Sequence, residues 1–132
     1  MIYWFILHIR VLGIAYVFRV ERVMSGEFKP HPRIGFLLMP NFTLAPFALM
    51  QDVLRLAADE GDRSRPVRLE WTVVAPGAAP VRSSSGVEIA PREAMGDPTR
   101  FDYVVVCGGL LRRSHGDDEQ IEAYLKTAHE SG

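Results

Sequence analysis

The sequence predicts an α/β layered domain with a mainly parallel sheet and helices on both faces. Two continuously apolar runs, residues 34–39 and Tyr103–Cys107, are typical of parallel strands that are buried on both faces. Between and after these runs, strand-like and helix-like patterns alternate along the chain. A length of 132 residues allows one such domain with a sizeable core and is too short for two ordinary domains.

The first half of the chain contains one strand and one helix. Residues 34–39 form the predicted first strand, which ends at Pro40. Leu44–Ala58 has apolar residues at helical spacing and predicts a helix with Thr43 as its N-cap. The polar residues 59–65 then predict a surface loop. The stripe expected to face the core consists of Phe47, Met50, Leu54 and Ala57.

A second strand and a hairpin follow. Residues 69–75 are rich in strand-forming side chains and predict the second strand. Residues 81–85 and 87–89 flank Gly86, which indicates two short peripheral strands joined by a tight turn. The serines of this turn are expected to be solvated, because they lack the glycine spacing of a nucleophile elbow. Residues 91–98 are predicted to be irregular.

The last elements are a central strand and a polar helix. Tyr103–Cys107 forms the predicted third central strand, and a helix begins at Asp117 with Gln120 in a capping box. Three central strands and two helices are few for this architecture, so we expect the fold to be incomplete at the C-terminus. The buried stripe expected for the last helix consists of Ile121, Tyr124, Leu125 and Ala128.

Residues 1–32 are predicted to be an N-terminal extension outside the fold, and residues 33–132 to be the domain. Residues 1–33 hold five basic and two acidic side chains, a net charge of +3, whereas residues 34–132 have a net charge of -4. The favoured hypothesis is that residues 1–23 precede a natural start at Met24. A membrane anchor and a packing helix are the alternatives. The anchor is disfavoured because Arg10 lies at the centre of the apolar residues 1–18.

Composition excludes several classes of function. The net charge is -1, so this segment alone has no basic field with which to hold a nucleic acid. The single cysteine, Cys107, excludes an intrachain disulfide and a multi-cysteine metal cluster. It is consistent with a reducing, cytoplasmic compartment. The four histidines are scattered, so the sequence indicates no metal site and no cofactor.

Cys107 ends a buried strand and is followed by Gly108 and Gly109. Ligands of open α/β sheets bind at such carboxyl ends. A catalytic thiol needs a nearby base or helix N-terminus, so the favoured interpretation of Cys107 is a small buried hydrophobe. The two glycines are first interpreted as a tight turn, because no nucleotide-binding glycine spacing accompanies them.

As an ordered set, the segments of this chain resemble the DJ-1/PfpI superfamily, also called class I glutamine amidotransferase-like. The resemblance covers residues 33–132 and is carried by IGFLLMPNFTLAPFALMQDVLRLA, WTVVAPGAAPVRSSSGVEIAP and FDYVVVCGG. More narrowly, the chain is similar to the N-terminal domain of GlxA-type regulators of the AraC family, where a helix-turn-helix DNA-binding domain follows. The resemblance implies a flavodoxin-like fold that is truncated here.

The resemblance also implies that this chain holds no catalytic residue. In superfamily enzymes the nucleophilic cysteine lies in a later strand-to-helix elbow, beyond the last residue of this chain, so Cys107 is not its counterpart. Catalytic members place an acidic residue early in the first helix, where this sequence has Pro46. Proline can act neither as an acid nor as a base.

The resemblance and the strand-end rule together predict a non-catalytic, ligand-sensing domain fragment of an AraC-family transcription regulator. An unidentified small molecule is expected at Pro40, Asn41, Cys107, Gly108 and Gly109. A homodimer is expected for the full-length form, with DNA bound only through the missing helix-turn-helix domain. The alternative is a truncated hydrolase, amidase or glyoxalase-like enzyme whose cysteine nucleophile lies beyond this chain. A third hypothesis is a membrane-tethered interaction module that uses residues 1–18.

Overall fold

The computed structural model describes residues 15–19, 31–59, 67–109 and 118–131. The strands in these ranges are β1 (Ala15–Arg19), β2 (Arg33–Leu38), β3 (Glu70–Ala75), β4 (Val81–Arg82), β5 (Glu88–Ile89), β6 (Glu93–Ala94) and β7 (Tyr103–Cys107). The helices are α1 (Leu44–Ala58), α2 (Asp118–Glu130) and a 3-10 helix over Pro98–Arg100.

Five strands form the central sheet, in the order β1-β7-β2-β3-β6. The pairs β7–β2, β2–β3 and β3–β6 are parallel, whereas β1 runs antiparallel to β7. The strands β4 and β5 form a separate antiparallel hairpin. The mainly parallel sheet predicted from the two apolar runs is therefore confirmed.

The sheet separates two apolar clusters because successive side chains of a strand point to opposite faces. On one face, Phe36 and Leu38 of β2 pack with Phe47 of α1. On the other face, Leu37 packs in a cluster with the helix α2. Tyr124 and Ala128, predicted for the buried stripe of that helix, lie in this second cluster. This arrangement confirms the predicted layers, with a helix on each face of the sheet.

The strand β1 lies within the predicted N-terminal extension. Residues 1–32 are predicted to lie outside the fold, yet Ala15–Arg19 pairs with β7 along five residues. The outer edge of β7 carries main-chain N–H and C=O groups, which a further strand satisfies. Of residues 1–18, on which the anchor alternative depends, residues 1–14 lie outside the described ranges, and so does the predicted packing helix. The boundary between residues 32 and 33 stays a prediction. Within the described residues, no helix is long and apolar enough to cross a membrane.

Thr43 is the N-cap residue of α1, as predicted, whereas two local details of the helices differ from expectation. Thr43 precedes α1 in an extended conformation, but its side chain makes no capping hydrogen bond. Ala57 is exposed, and Ala58 is buried in its place. The helix α2 is described from Asp118 onwards, so the predicted capping residue Asp117 lies outside the described ranges.

Residues 91–98 contain regular structure that their local sequence does not indicate. The strand β6 lies within them, and the 3-10 helix begins at Pro98. The N–H groups of Arg92 and Met95 donate to the carbonyl oxygens of Val73 and Ala75, at 2.9 and 2.7 Å. Pairing with β3 therefore orders this segment, and such pairing depends on residues distant in sequence.

An ion pair joins β6 to the 3-10 helix. The Arg100 guanidinium donates two hydrogen bonds to the Glu93 carboxylate, one of them from Nη1 to Oε2 at 3.2 Å. The bond from Arg100 holds the pKa of the Glu93 carboxyl below its usual range. Both side chains are more than a third exposed, at 38% and 39%, so solvent screens the pair.

We expect Glu93→Gln to weaken the acid sensitivity of the fold slightly. Because the pKa of Glu93 is lowered by folding, its ion pair stabilises the chain above the unfolded pKa of about 4.3. That stabilisation is lost as the pH falls through the folded pKa. The melting temperature of the variant, measured from pH 7 to pH 3, should therefore fall less steeply than that of the wild type. Glu88→Gln, at an exposed position, is the control. Equal acid sensitivity of wild type and Glu93→Gln would contradict the prediction.

Candidate ligand site at the strand ends

The carboxyl ends of β2 and β7 meet at one edge of the sheet. This geometry brings together the five residues predicted from the sequence, which we call the strand-end cluster: Pro40, Asn41, Cys107, Gly108 and Gly109. The N–H of Met39 donates to the carbonyl of Cys107 at 3.0 Å, and that of Thr43 donates to Gly108 at 2.9 Å. The loop that leads into α1 is thus fastened to the residues following β7.

Asn41 and Gly109 are in close main-chain contact within this cluster. Asn41 has φ +59°, a left-handed conformation that asparagine tolerates better than most residues. Its N–H donates to the carbonyl of Arg82 at 2.9 Å. A Cβ atom at Gly109 would overlap the main-chain carbonyl of Asn41, and Phe42 forms an isolated antiparallel bridge with Gly109. Gly109 therefore permits an approach that a side chain would prevent.

We expect Gly109→Ala to destabilise the chain, because the added methyl group would force the main chain of Asn41 to move. Overpacking of this kind costs about 1 to 3 kcal/mol. Urea unfolding followed by circular dichroism measures the loss. Gly77→Ala is the matched control, since a Cβ atom there meets nothing within 4 Å. Equal unfolding free energies for the two variants would show that the loop yields freely at Gly109.

The β4–β5 hairpin forms a third side of the cluster. The N–H of Ser84 donates to the carbonyl of Phe42 at 2.9 Å, and Gly86 closes the turn with φ +91°. Ser83 is 2% exposed, and its Oγ lies 3.0 Å from the Oγ of Ser85. The expectation of solvated serines is therefore wrong for Ser83, because the hairpin folds against the loop after β2. Sequence reasoning missed this contact, which joins residues about 40 positions apart.

The environment of Cys107 favours a structural role. Its side chain is 3% exposed and packs in the cluster on the α1 face of the sheet. Burial raises the pKa of the thiol to about 12. A neutral, enclosed thiol is a weak nucleophile, since the thiolate is the reactive form. This agrees with the interpretation of Cys107 as a small buried hydrophobe.

The start of α1 offers no acid or base. Pro46 is the third helical residue, and the first turn contains no acidic side chain. Proline is tolerated there because the first N–H groups of a helix have no intrahelical acceptor. Within the described residues, no group of three or more His, Cys, Asp or Glu side chains is arranged to hold a metal ion.

A second depression, which sequence reasoning missed, lies between α2 and the 3-10 helix. It has a volume of about 320 Å³, and Asp97, Gln120 and Tyr124 contribute to its walls. Tyr124 Oη and Arg100 Nε are buried nearby without a hydrogen-bond partner among the described residues. Burial raises the pKa of Tyr124 to about 12, so its hydroxyl stays a donor at neutral pH. No local sequence pattern marks this grouping.

This chain has relatives among proteins of known sequence and among solved structures. The chain matches no protein-family model. It is 34% identical over 82 residues to the HTH-type transcriptional regulator GbdR of Pseudomonas aeruginosa, a match that covers 61% of this chain and 22% of GbdR. The matched segment is thus about a fifth of the relative's length.

Two solved structures share the architecture. An AraC family transcriptional regulator from Pseudomonas putida has a TM-score of 0.55 and 25% identity, covering 75% of this chain and 52% of that one. The DJ-1 superfamily protein Atu0886 from Agrobacterium tumefaciens has a TM-score of 0.52 and 21% identity, covering 72% of this chain and 48% of that one. The second similarity shows the fold alone.

These similarities confirm the resemblance predicted from the sequence. The chain has the flavodoxin-like fold of the DJ-1/PfpI superfamily. Within that class, it is similar to the DJ-1/PfpI-like domain of AraC-family transcription regulators. The narrower assignment to the GlxA type stays a prediction.

Proposed function

We propose that this chain is a non-catalytic, ligand-sensing domain of a cytoplasmic AraC-family transcription regulator. The observation that carries the proposal is the 34% identity over 82 residues to an HTH-type transcriptional regulator. A net charge of -1 provides no electrostatic attraction for DNA, so a separate helix-turn-helix domain would make the DNA contacts. Such a regulator would act as a homodimer whose geometry depends on the bound metabolite.

The strand-end cluster is the proposed sensing site. Asn41 exposes its side chain, and its N–H is bonded to the β4–β5 hairpin. The neighbouring Thr43 is bonded to Gly108 and immediately precedes α1. A small molecule that binds Asn41 would therefore act on the hairpin, the end of β7 and the start of α1 together. This coupling would give ligand binding a route to the helical surface of the domain.

The rival function is a hydrolase, amidase or glyoxalase-like activity, which similarity to a DJ-1 superfamily protein leaves open. Against it stand the enclosed thiol of Cys107 and the lack of an acidic side chain in the first turn of α1. An enzyme of this kind would need a nucleophile other than Cys107.

The test measures both a ligand response and turnover. A panel of small metabolites is screened by thermal denaturation of the chain, and any stabilising compound is added to the full-length regulator bound to its promoter DNA. We expect that compound to change DNA affinity. The variant Asn41→Gly, which keeps the left-handed backbone and removes the side chain, should abolish the thermal shift.

The control variant is Gly96→Ala, where a Cβ atom meets nothing within 4 Å. It should retain the full thermal shift. DNA binding that is indifferent to every stabilising compound would contradict the regulatory proposal. Conversion of a compound into product, followed by mass spectrometry, would support the rival enzyme.

A further inference from the structure

The depression between α2 and the 3-10 helix lies apart from the strand-end cluster. One wall is the segment after β6, Met95–Pro98, and the other is one side of α2, formed by Gln120, Ala123, Tyr124 and Thr127. These four residues follow the i, i+3, i+4, i+7 spacing of a single helix side. β6 is the edge strand at the opposite end of the sheet from β1 and β7. A strand added beside β7 would therefore lie across the sheet from the depression.

Tyr124 brings a buried hydroxyl to this depression. Its side chain lines the depression and is 6% exposed, and its Oη has no hydrogen-bond partner among the described residues. Burial raises the pKa of Tyr124 to about 12, so the hydroxyl keeps its proton at neutral pH and can donate. A buried hydroxyl without a partner destabilises a fold, so a molecule that supplies an acceptor there gains binding energy.

The charges around Tyr124 restrict what that acceptor can be. Arg100, Glu93 and Asp97 all act on the hydroxyl. Arg100 and Glu93 form an ion pair and largely cancel each other. Hydrogen bonds from Thr99 hold the pKa of the Asp97 carboxyl below its usual range, so Asp97 stays charged. The surroundings therefore repel an anion, whereas an ammonium group has no acceptor to offer the hydroxyl.

The remaining wall groups ask for a donor and an apolar body. Asp97 is exposed at the depression, and its Oδ1 accepts from the N–H of Thr99 at 2.9 Å. A carboxylate can accept about four hydrogen bonds, so Asp97 can accept a further one from a ligand. Met95, Pro98 and Ala123 contribute apolar wall groups. An amide combines an acceptor, a donor and an alkyl body without carrying a charge.

We propose that this depression binds a small uncharged amide, whose carbonyl oxygen accepts from the Tyr124 hydroxyl and whose N–H donates to Asp97. The alkyl part of the amide contacts Met95 and Pro98. The volume of about 320 Å³ holds about ten non-hydrogen atoms, at roughly 30 Å³ for each. This second site is separate from the strand-end cluster and does not depend on the sensing function proposed for it.

The test uses pyrrolidinone, a small cyclic amide, and pyroglutamate, the same ring with an added carboxylate. Each is titrated into the isotopically labelled full chain, and NMR chemical shifts report where it binds. Tyr124→Phe removes the hydroxyl and keeps the ring. Tyr103→Phe is the matched control, because Tyr103 packs in the cluster on the α1 face of the sheet. Asp97→Asn removes the charge and keeps an oxygen that can accept from Thr99.

We expect pyrrolidinone to give saturable shifts at Ala123 and Thr127, with a dissociation constant of about 1 to 10 mM. Tyr124→Phe should weaken this binding about tenfold, because the carbonyl of the bound amide loses its donor. Tyr103→Phe should bind like the wild type. Pyroglutamate should bind the wild type about tenfold more weakly than pyrrolidinone, and Asp97→Asn should reduce that difference.

Three outcomes would overturn the proposal. The first is the lack of saturable shifts at Ala123 and Thr127. The second is equal affinity of wild type and Tyr124→Phe for pyrrolidinone, which would mean that the hydroxyl takes no part. The third is equal affinity of the wild type for the two probes, since the charges around Tyr124 would then have no effect on binding.

Thermal denaturation provides an independent measurement. Without a probe, Tyr124→Phe should melt no lower than the wild type, because it removes a buried hydroxyl that has no partner among the described residues. At about 50 mM, pyrrolidinone should raise the melting temperature of the wild type by about 4 °C and that of Tyr124→Phe by less than half as much. A lower melting temperature of Tyr124→Phe without a probe would show that the hydroxyl is already bonded in the folded chain, and would overturn the proposal.

Discussion

In the folded chain at pH 8, iodoacetamide is expected to alkylate Cys107 about a thousandfold more slowly than in the urea-denatured chain. Burial raises the pKa of this thiol to about 12, which leaves roughly one molecule in ten thousand as thiolate at pH 8. An unfolded cysteine with a pKa of about 8.5 is roughly a quarter ionised at the same pH. The 3% exposure of the side chain slows the reaction further.

The pH dependence of the alkylation rate distinguishes a raised thiol pKa from steric shielding of Cys107 alone. The folded rate should rise about tenfold per pH unit up to pH 10, because each unit increases the thiolate fraction tenfold below the raised pKa. The denatured rate should level off above pH 9. Since Cys107 is the only cysteine, mass spectrometry of the whole chain reports its modification directly. A folded rate within tenfold of the denatured rate would show an accessible, ionisable thiol and would reopen its use as a nucleophile.

Phe36→Ala is expected to destabilise the chain by about 3 to 5 kcal/mol. The Phe36 ring is fully buried in β2 and meets Phe47 of α1 edge to face, with ring centroids 5.8 Å apart. Its removal leaves a cavity between the sheet and α1 that the surrounding strands cannot fill. Because a native domain is stable by only about 5 to 15 kcal/mol, the variant should be close to unfolding.

Urea unfolding followed by circular dichroism measures this loss. Leu49→Ala on α1 is the matched control, because Leu49 is 65% exposed and its truncation leaves no buried cavity. Its expected effect is below about 0.5 kcal/mol. If Phe36→Ala lowered the free energy of unfolding no more than Leu49→Ala, the packing of β2 against α1 would not be the main source of stability on this face of the sheet.

The sequence predicts where the proposed site lies, but it does not predict how the residues of the site contact one another. Carboxyl ends of neighbouring parallel strands meet at one edge of a sheet, so Asn41 and Gly109 follow from the two apolar runs. The close approach of Gly109 to Asn41 depends on main-chain geometry that no residue pattern encodes. The burial of Ser83 is likewise a product of long-range contact.

The sequence by itself determined the central strands β2, β3 and β7, the helix α1 and the β4–β5 hairpin. Each of these has its own local cause, because an apolar run, a helical stripe or a glycine turn acts over a few neighbouring residues. The sequence also determined that helices cover both faces of the sheet, because strands that are apolar on both sides must be buried on both faces.

Only the tertiary structure decided the placement of β1, β6 and the hairpin, and the grouping of Tyr124 with Arg100. β1 and β6 are short edge strands whose partners, β7 and β3, supply the open main-chain groups that order them. An edge accepts almost any extended segment that reaches it, so the side chains of that segment specify the pairing only weakly. Such elements are determined by the geometry of the assembled sheet, which a reading of neighbouring residues does not contain.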